Sequence, residues 1–290
     1  MPTSHGGDGN PRPVGEHAAS PIALVNGRIY TADPDRLWVE ACSIRGDRID
    51  AVGTSAEVLA SVGSGRVVDL GGRVVIPGLN DAHMHHTPDP AGVRLPTDES
   101  MDPNLTELHG AIEAAVAATA SGTWIFGTMG MTLITSEVLD RVYLDRVAPD
   151  HPVILLGMTN HTNVLNSAAL AALGISDSDT EVLGGTLERD RATGKLNGRI
   201  NEYAQWRPQR AFASMTSIGE GAVAVRALSA ECVRYGVTTI QNMSWTPPHR
   251  YLDMVQAADV PLRVRIIDFP GSGMTEREPI PPAEARAARR

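Results

Sequence analysis

A chain of 290 residues has room for one large domain, or for a small one joined to a medium one. Its 42% of hydrophobic residues suffices for a sizeable core, and 34 acidic against 25 basic residues argue against a general nucleic-acid or anionic-membrane binder. No apolar run approaches the roughly 20 residues of a membrane-spanning helix. Lys195 is the only lysine, so chemistry that needs one has a single candidate. Cys42 and Cys232 fit no metal or redox spacing. They read as small buried side chains in a reducing cytoplasm.

Residues 1–20 hold Gly, Pro, His and acids without an apolar core, so a disordered leader is expected there and not a signal peptide. Residues 21–76 read as a small β domain built from three hairpins. Ala23-Leu24-Val25 turns through Asn26-Gly27 into Arg28-Ile29-Tyr30. The run from Cys42 turns through Gly46-Asp47, and the run from Val67 turns through Gly71-Gly72. Asn-Gly and Gly-Gly tolerate the positive φ angles of tight hairpin turns.

From residue 77 to 269 the pattern changes to alternating strands and helices. Asn104 with Glu107 forms a capping-box signature. It opens a helix with Leu105, Leu108, Ile112 and Val116 on one face. A strand follows from Trp124, a second helix is expected near 136–147, and an apolar strand at Val153-Ile154-Leu155-Leu156. A short helix runs from Asn166 to Gly174, and 175–215 reads as an irregular excursion. A long helix from about 219, the strand Val237–Ile240, a helix near 249–258 and the strand Leu262–Ile267 complete the series. With the strand near 74–79 that makes five, most of them separated by helices, and repeated βα units imply a parallel sheet. A (β/α)₈ barrel needs eight. Residues 270–290, rich in Pro, Gly and charge, are expected to be a disordered tail.

The chemistry lies at Val74-Val75-Ile76-Pro77-Gly78-Leu79-Asn80-Asp81-Ala82-His83-Met84-His85-His86. Alternate residues of a strand share a face, so His83 and His85 can converge on one metal ion. His86 faces the other way, and Asp81 shares the ligand face, where it could orient an imidazole. By itself a His-x-His pair also suits a polar strand end. Here it follows an apolar strand and a Pro-Gly step, and it opens a βα series.

The chain resembles the amidohydrolase superfamily, in particular its amidohydrolase family 3 branch that includes formamide deformylases. The resemblance rests on Leu24-Val25-Asn26-Gly27-Arg28-Ile29-Tyr30-Thr31, on Val67–Arg73 with the His-x-His junction, and on Pro152-Val153-Ile154-Leu155, His161 and Asn166–Leu170. It extends to Gly184–Asp190 and to Gly198 with Glu202, and so covers about residues 22–269. It implies a metal-dependent hydrolase (β/α)₈ TIM barrel, here about five of eight strands, beside a small N-terminal β-sandwich. It also implies a divalent metal, zinc by its imidazole ligands, and metal-activated water acting on non-peptide carbon–nitrogen bonds of a small amide-type substrate. His83 and His85 are then ligands, Asp81 supports them, and His161 and Glu202 line the pocket. His161 also reads as an exposed loop residue.

The resemblance further implies a lysine, two histidines and an aspartate from later strands, so no catalytic residue is expected in these 290 residues. Lys195, between Gly194 and Leu196, is no candidate for that lysine. The competing reading is a non-catalytic remnant or one half of a split enzyme, needing a complementing C-terminal half or another copy of itself. Gly219-Glu220-Gly221 matches a dinucleotide pattern but follows no convincing strand, and reads as a helix start.

Overall fold

The computed structural model describes residues 20–96, 102–180 and 184–268. The expected leader and tail lie outside them but for Ser20. The chain divides between Leu79 and Asn80 into two compact units.

In the first unit, β1 (Ile22–Val25), β2 (Arg28–Tyr30), β3 (Trp38–Val39), β4 (Ala41–Arg45) and β5 (Arg48–Gly53) lead to helix α1 (Ser55–Val62). Then come β6 (Arg66–Asp69) and β7 (Val74–Val75). Of the three expected hairpins only β4–β5 forms, antiparallel across Gly46. The other two bends cross between sheets. β1 pairs with β4 and β6 while β2 pairs with β3 and β7, so the sheets run β5-β4-β1-β6 and β3-β2-β7.

The two crossing bends bond to each other, and the second also closes on itself, Arg73 N–H donating to the Leu70 carbonyl at 3.1 Å. Gly72 N–H donates to the Asn26 carbonyl at 2.7 Å, and Arg28 N–H to that of Arg73 at 3.0 Å. A side chain at Gly27 would start 2.3 Å from Leu70 Cδ1, so close approach is why glycine stands there. The sequence reading also passed over α1. Thr54 and Glu57 form its capping box, and Val58 and Val62 pack on Ala23, Val25 and Ala41. The opposite face of the larger sheet, through Leu24 and Cys42, meets Ile29, Leu70 and Val75.

The second unit is mixed α/β and begins with β8 (Leu79–Met84), followed by β9 (Val93–Arg94), α2 (Leu105–Ala118) and β10 (Ile125–Met129). Next come α3 (Met131–Ile134), α4 (Arg141–Val147), β11 (Val153–Gly157), β12 (Thr162–Leu165) and α5 (Ser167–Ala172). The hairpin strands β13 (Gly185–Arg189) and β14 (Leu196–Glu202) lead through a 3₁₀ turn to α6 (Trp206–Ala213). The last elements are α7 (Ile218–Arg234), β15 (Val237–Asn242), α8 (Pro248–Ala258) and β16 (Arg263–Ile266).

Of the five strands expected as one series, the first, near 74–79, is not continuous: Val74–Val75 is β7, paired with β2 in the first unit, and β8 starts only at Leu79, while the other four divide between two sheets. β10 and β11 sit in a six-stranded sheet, β13-β14-β12-β11-β10-β9, in which β12, β13 and β14 pair antiparallel. β8, β15 and β16 form a separate sheet in the order β16-β15-β8. Within the stretch 175–215, residues 185–213 are thus regular. Asp190 organises its hairpin turn by accepting from Thr193 N–H at 2.7 Å, with Gly194 at positive φ. The helix expected near 136–147 is α4, which starts only at Arg141, with Asp140 capping it through Tyr143 N–H.

Both faces of the six-stranded sheet are covered. Ile125, Val153 and Leu155 pack with Leu108, Ile112 and Leu144 on one side, while Phe126, Ile154 and Leu165 pack with Leu170 and Phe212 on the other. In the three-stranded sheet, Met84, Ile240 and Val264 lie against α7 and α8. Ser217 and Glu220 cap α7, so the Gly219-x-Gly221 pattern is a helix start. Gly221 leaves room for Met254 Sδ, which would lie 2.3 Å from an added Cβ.

Candidate metal centre

The site grows from the carboxyl end of β8. Met84 packs inward, so by strand alternation His83 and His85 take the opposite, exposed face. The end of β15 lies alongside. Met243 N–H donates to the Met84 carbonyl at 2.8 Å. The buried Asn242 carboxamide accepts from His86 N–H at 2.7 Å and donates to the His86 carbonyl at 2.8 Å. One side chain therefore fastens the backbone beside His85 on both its polar groups.

His85 Nδ1 lies 3.0 Å from the Met243 carbonyl oxygen. A carbonyl only accepts, so Nδ1 carries the proton and a neutral ring has its lone pair on Nε2. That Nε2 is 2.9 Å from His83 Nε2, with the rings near perpendicular at 81°. Two nitrogens bound to a tetrahedral zinc at its usual bond length stand about 3.4 Å apart. The pair fits a shared divalent ion after a small opening. Without an ion, His83 Nε2–H donates to His85 Nε2.

Asp81 does not take the position expected of it. Its carboxylate accepts from His83 N–H at 3.0 Å, a local turn two residues long. The contact that orients an imidazole comes from the Met243 carbonyl. His86 turns away from the pair, and its Nδ1 is hydrogen-bonded to the buried Tyr251 hydroxyl at 2.8 Å. Burial lowers the pKa of His86, against an opposing pull from Asp89, and burial raises the Tyr251 phenol far above its usual range. Burial, with Asp81 second, also raises the Cys232 thiol.

His161 and Glu202, far apart in sequence, come together. Their side chains meet at 2.9 Å, and Glu202 N–H donates to the His161 carbonyl at 2.8 Å. Both side chains are exposed, and Glu202 holds a left-handed φ of 53°. Among the described residues, no group of three or more His, Cys, Asp or Glu side chains is arranged to hold a metal, so this pair stands apart from His83 and His85. Lys195 is exposed in the β13–β14 turn.

A cleft of about 170 Å³ opens beside His85. Leu156, Phe212 and Trp245 supply apolar wall, and Asn160, Gln209 and Arg94 supply polar groups. Arg94 and Asp89 form a two-pronged ion pair, each hydrogen bond 2.8 Å long. Sequence reasoning missed Asn242, Met243, Arg94 and Gln209. Only Asn242 carried a signal: it shares the inward face of its strand with Ile240, where a polar residue needs a partner. No helix among the described residues is long and apolar enough to cross a membrane.

The chain is 31% identical over 194 residues to N-substituted formamide deformylase of Arthrobacter pascens, a match covering 63% of this chain and 34% of that protein. It is 28% identical over 227 residues to the protein LONG AFTER FAR-RED 3 of Arabidopsis thaliana, covering 77% of this chain and 38% of that one. The crystal structure of an uncharacterized metal-dependent hydrolase from Pyrococcus horikoshii OT3 superposes with a TM-score of 0.59 at 19% identity. That match covers 85% of this chain and 48% of the other. One from Pyrococcus furiosus gives 0.56 at 21% identity, covering 85% and 49%. The chain thus spans about a third of the length of these curated relatives and half of these structures. The sequence profile of the amidohydrolase family matches residues 66–285, and on that match the chain belongs to the amidohydrolase family.

Proposed function

We propose that this chain supplies His83 and His85 to a divalent-metal centre, with zinc as the ion, in a hydrolase acting on non-peptide carbon–nitrogen bonds of small amides. The observation that carries the reading is the convergence of two imidazole Nε2 atoms, 2.9 Å apart, with one ring held by the Met243 carbonyl. A bound ion of this kind polarises a scissile carbonyl and brings the pKa of water toward roughly 7. The residues of this chain prepare that site. Met243 holds His85 in the tautomer whose Nε2 is a ligand, and Asp81 braces the His83 backbone. The cleft beside His85 seats the substrate, and the His161–Glu202 pair lines its approach.

The parallel pairing of β15 with β16 through α8 supports reading β8, β15 and β16 as strands of a hydrolase barrel, with a small β-sandwich before it. The six-stranded sheet is then an insertion between the first barrel strand and the next. Two free, buried cysteines suit a cytoplasmic protein.

A second reading follows from one fact. Two imidazoles fall short of the three or four protein ligands zinc takes, and the described residues offer no third. The centre is then completed by groups beyond the described residues or from another polypeptide, and the chain on its own is inactive. Isothermal titration with zinc beside a His83→Ala/His85→Ala variant tests the assignment. Weak binding lost in the variant is expected. Tight binding that survives it would locate the metal elsewhere. Amide hydrolysis by the chain alone, abolished by His85→Ala, would overturn the second reading.

A further inference from the structure

The cleft beside His85 contains a hydrogen-bonding group set in advance. Gln209 is only 3% exposed, yet it lines the cleft. Its orientation follows from a chain of buried amides. Gln205 Nε2 donates to the Asn160 main-chain carbonyl, which only accepts, so Gln205 turns its Oε1 the other way. Gln209 Nε2 donates to that Oε1 at 2.9 Å and to Asn163 Oδ1 at 3.2 Å. Flipping the Gln209 amide would set oxygen against oxygen. Both its N–H groups are therefore committed within the protein. Its Oε1 receives no hydrogen bond among the described residues and is not fully buried.

The surroundings narrow the ligand. Arg94 is matched by Asp89 through two hydrogen bonds, so the cleft carries no net charge from that pair. Leu156, Phe212 and Trp245 form apolar wall. The volume, about 170 Å³, is close to the roughly 150 Å³ of a cavity that takes up benzene. We infer that Gln209 is a specificity-determining residue that accepts a hydrogen bond from the substrate N–H. The cleft selects uncharged amides that keep an N–H beside a ring-sized apolar group, over esters and other analogues without the donor. A ligand that leaves a buried acceptor unpaired loses the desolvation free energy of that group, which is why sites built around a hydrogen bond discriminate strongly.

This inference rests on reading the cleft as the substrate's seat, but its test does not depend on metal. Affinities of the full 290-residue chain for N-phenylacetamide and its isostere phenyl acetate are measured with a chelator present. N-phenylacetamide is expected to bind at least about tenfold tighter to the wild type, and the two within about twofold of each other in Gln209→Met. Equal affinities for the wild type, no binding of N-phenylacetamide, or a preference that survives Gln209→Met would overturn it. A second measurement serves if that variant does not fold. In the wild type, the Gln209 side-chain amide resonances should shift with N-phenylacetamide and not with phenyl acetate, and unshifted resonances would refute the contact. Loss of zinc binding with this preference intact would count against the metal reading alone.

Discussion

The two sheets of the second unit are built on opposite terms. Ile125, Val153, Ile154, Leu155 and Leu165 in the six-stranded sheet are all 0% exposed, because helices cover both of its faces. In the three-stranded sheet only one face packs on α7 and α8, and β8 leaves Leu79 49% exposed. The histidines stand on that second sheet. Converging the two imidazoles needs an open face and a fixed backbone, and here the Asn242 side chain at the end of β15 fixes the backbone at His86. The buried sheet supplies rigidity and the cleft wall, and the open one supplies the imidazoles.

The largest effect that would test this contrast is in the buried sheet. Leu155→Ala should lower unfolding free energy by about 2–5 kcal/mol in a denaturant titration, since it empties a fully buried site between two helices and the sheet. A loss below about 1 kcal/mol would mean the two sheets are equally loose. On the open sheet, the His83→Ala/His85→Ala pair should cut zinc affinity by about a hundredfold or more. It should leave the denaturation midpoint nearly unchanged, because both side chains are exposed.

Asn242→Ala should fall between these. It strips the hydrogen bonds from His86 N–H and the His86 carbonyl, and should lower stability by about 1–3 kcal/mol. Weaker zinc binding should accompany it. Unchanged zinc affinity would separate the strand-end fastening from the ligand geometry. Ser217→Ala removes the α7 cap that holds this sheet's covering helix, with an expected loss of about 1 kcal/mol in the same titration.

The smallest effect is with acid. Hydrogen bonds hold two carboxyls below their usual range, that of Glu57 chiefly from Thr54 N–H and that of Glu220 chiefly from the Ser217 hydroxyl. A carboxyl with a depressed folded pKa stabilises the fold above its unfolded pKa, and that contribution fades as pH falls through the folded value. Stability should therefore decline below about pH 4, and Glu220→Gln should flatten the decline slightly. An unchanged slope would assign the acid response to other carboxyls.

What could be read from residues alone was whatever depends on short range. The capping box at Asn104 and Glu107, the β4–β5 hairpin, the helix expected from about 219 and the alternation that turns His83 and His85 to one face each involve a few neighbouring residues. The Thr54–Glu57 cap and the Asp190 turn were equally local, and could have been found. Strand partnership was not legible, because an apolar run has the same sequence whichever strand it bonds to. The Asn26-Gly27 bend permits a hairpin as readily as a crossing between sheets, and the choice lies with Gly72 and Arg73, more than 40 residues away. Likewise β10 and β8 look alike as members of a βα series, and only tertiary packing assigns them to different sheets. The sequence by itself determined that His83 and His85 share one face at a strand end. Only the tertiary structure decided that Met243 fixes His85 and that Gln209 spends its N–H groups inside the protein, since each rests on hydrogen bonds made only when the chain is folded.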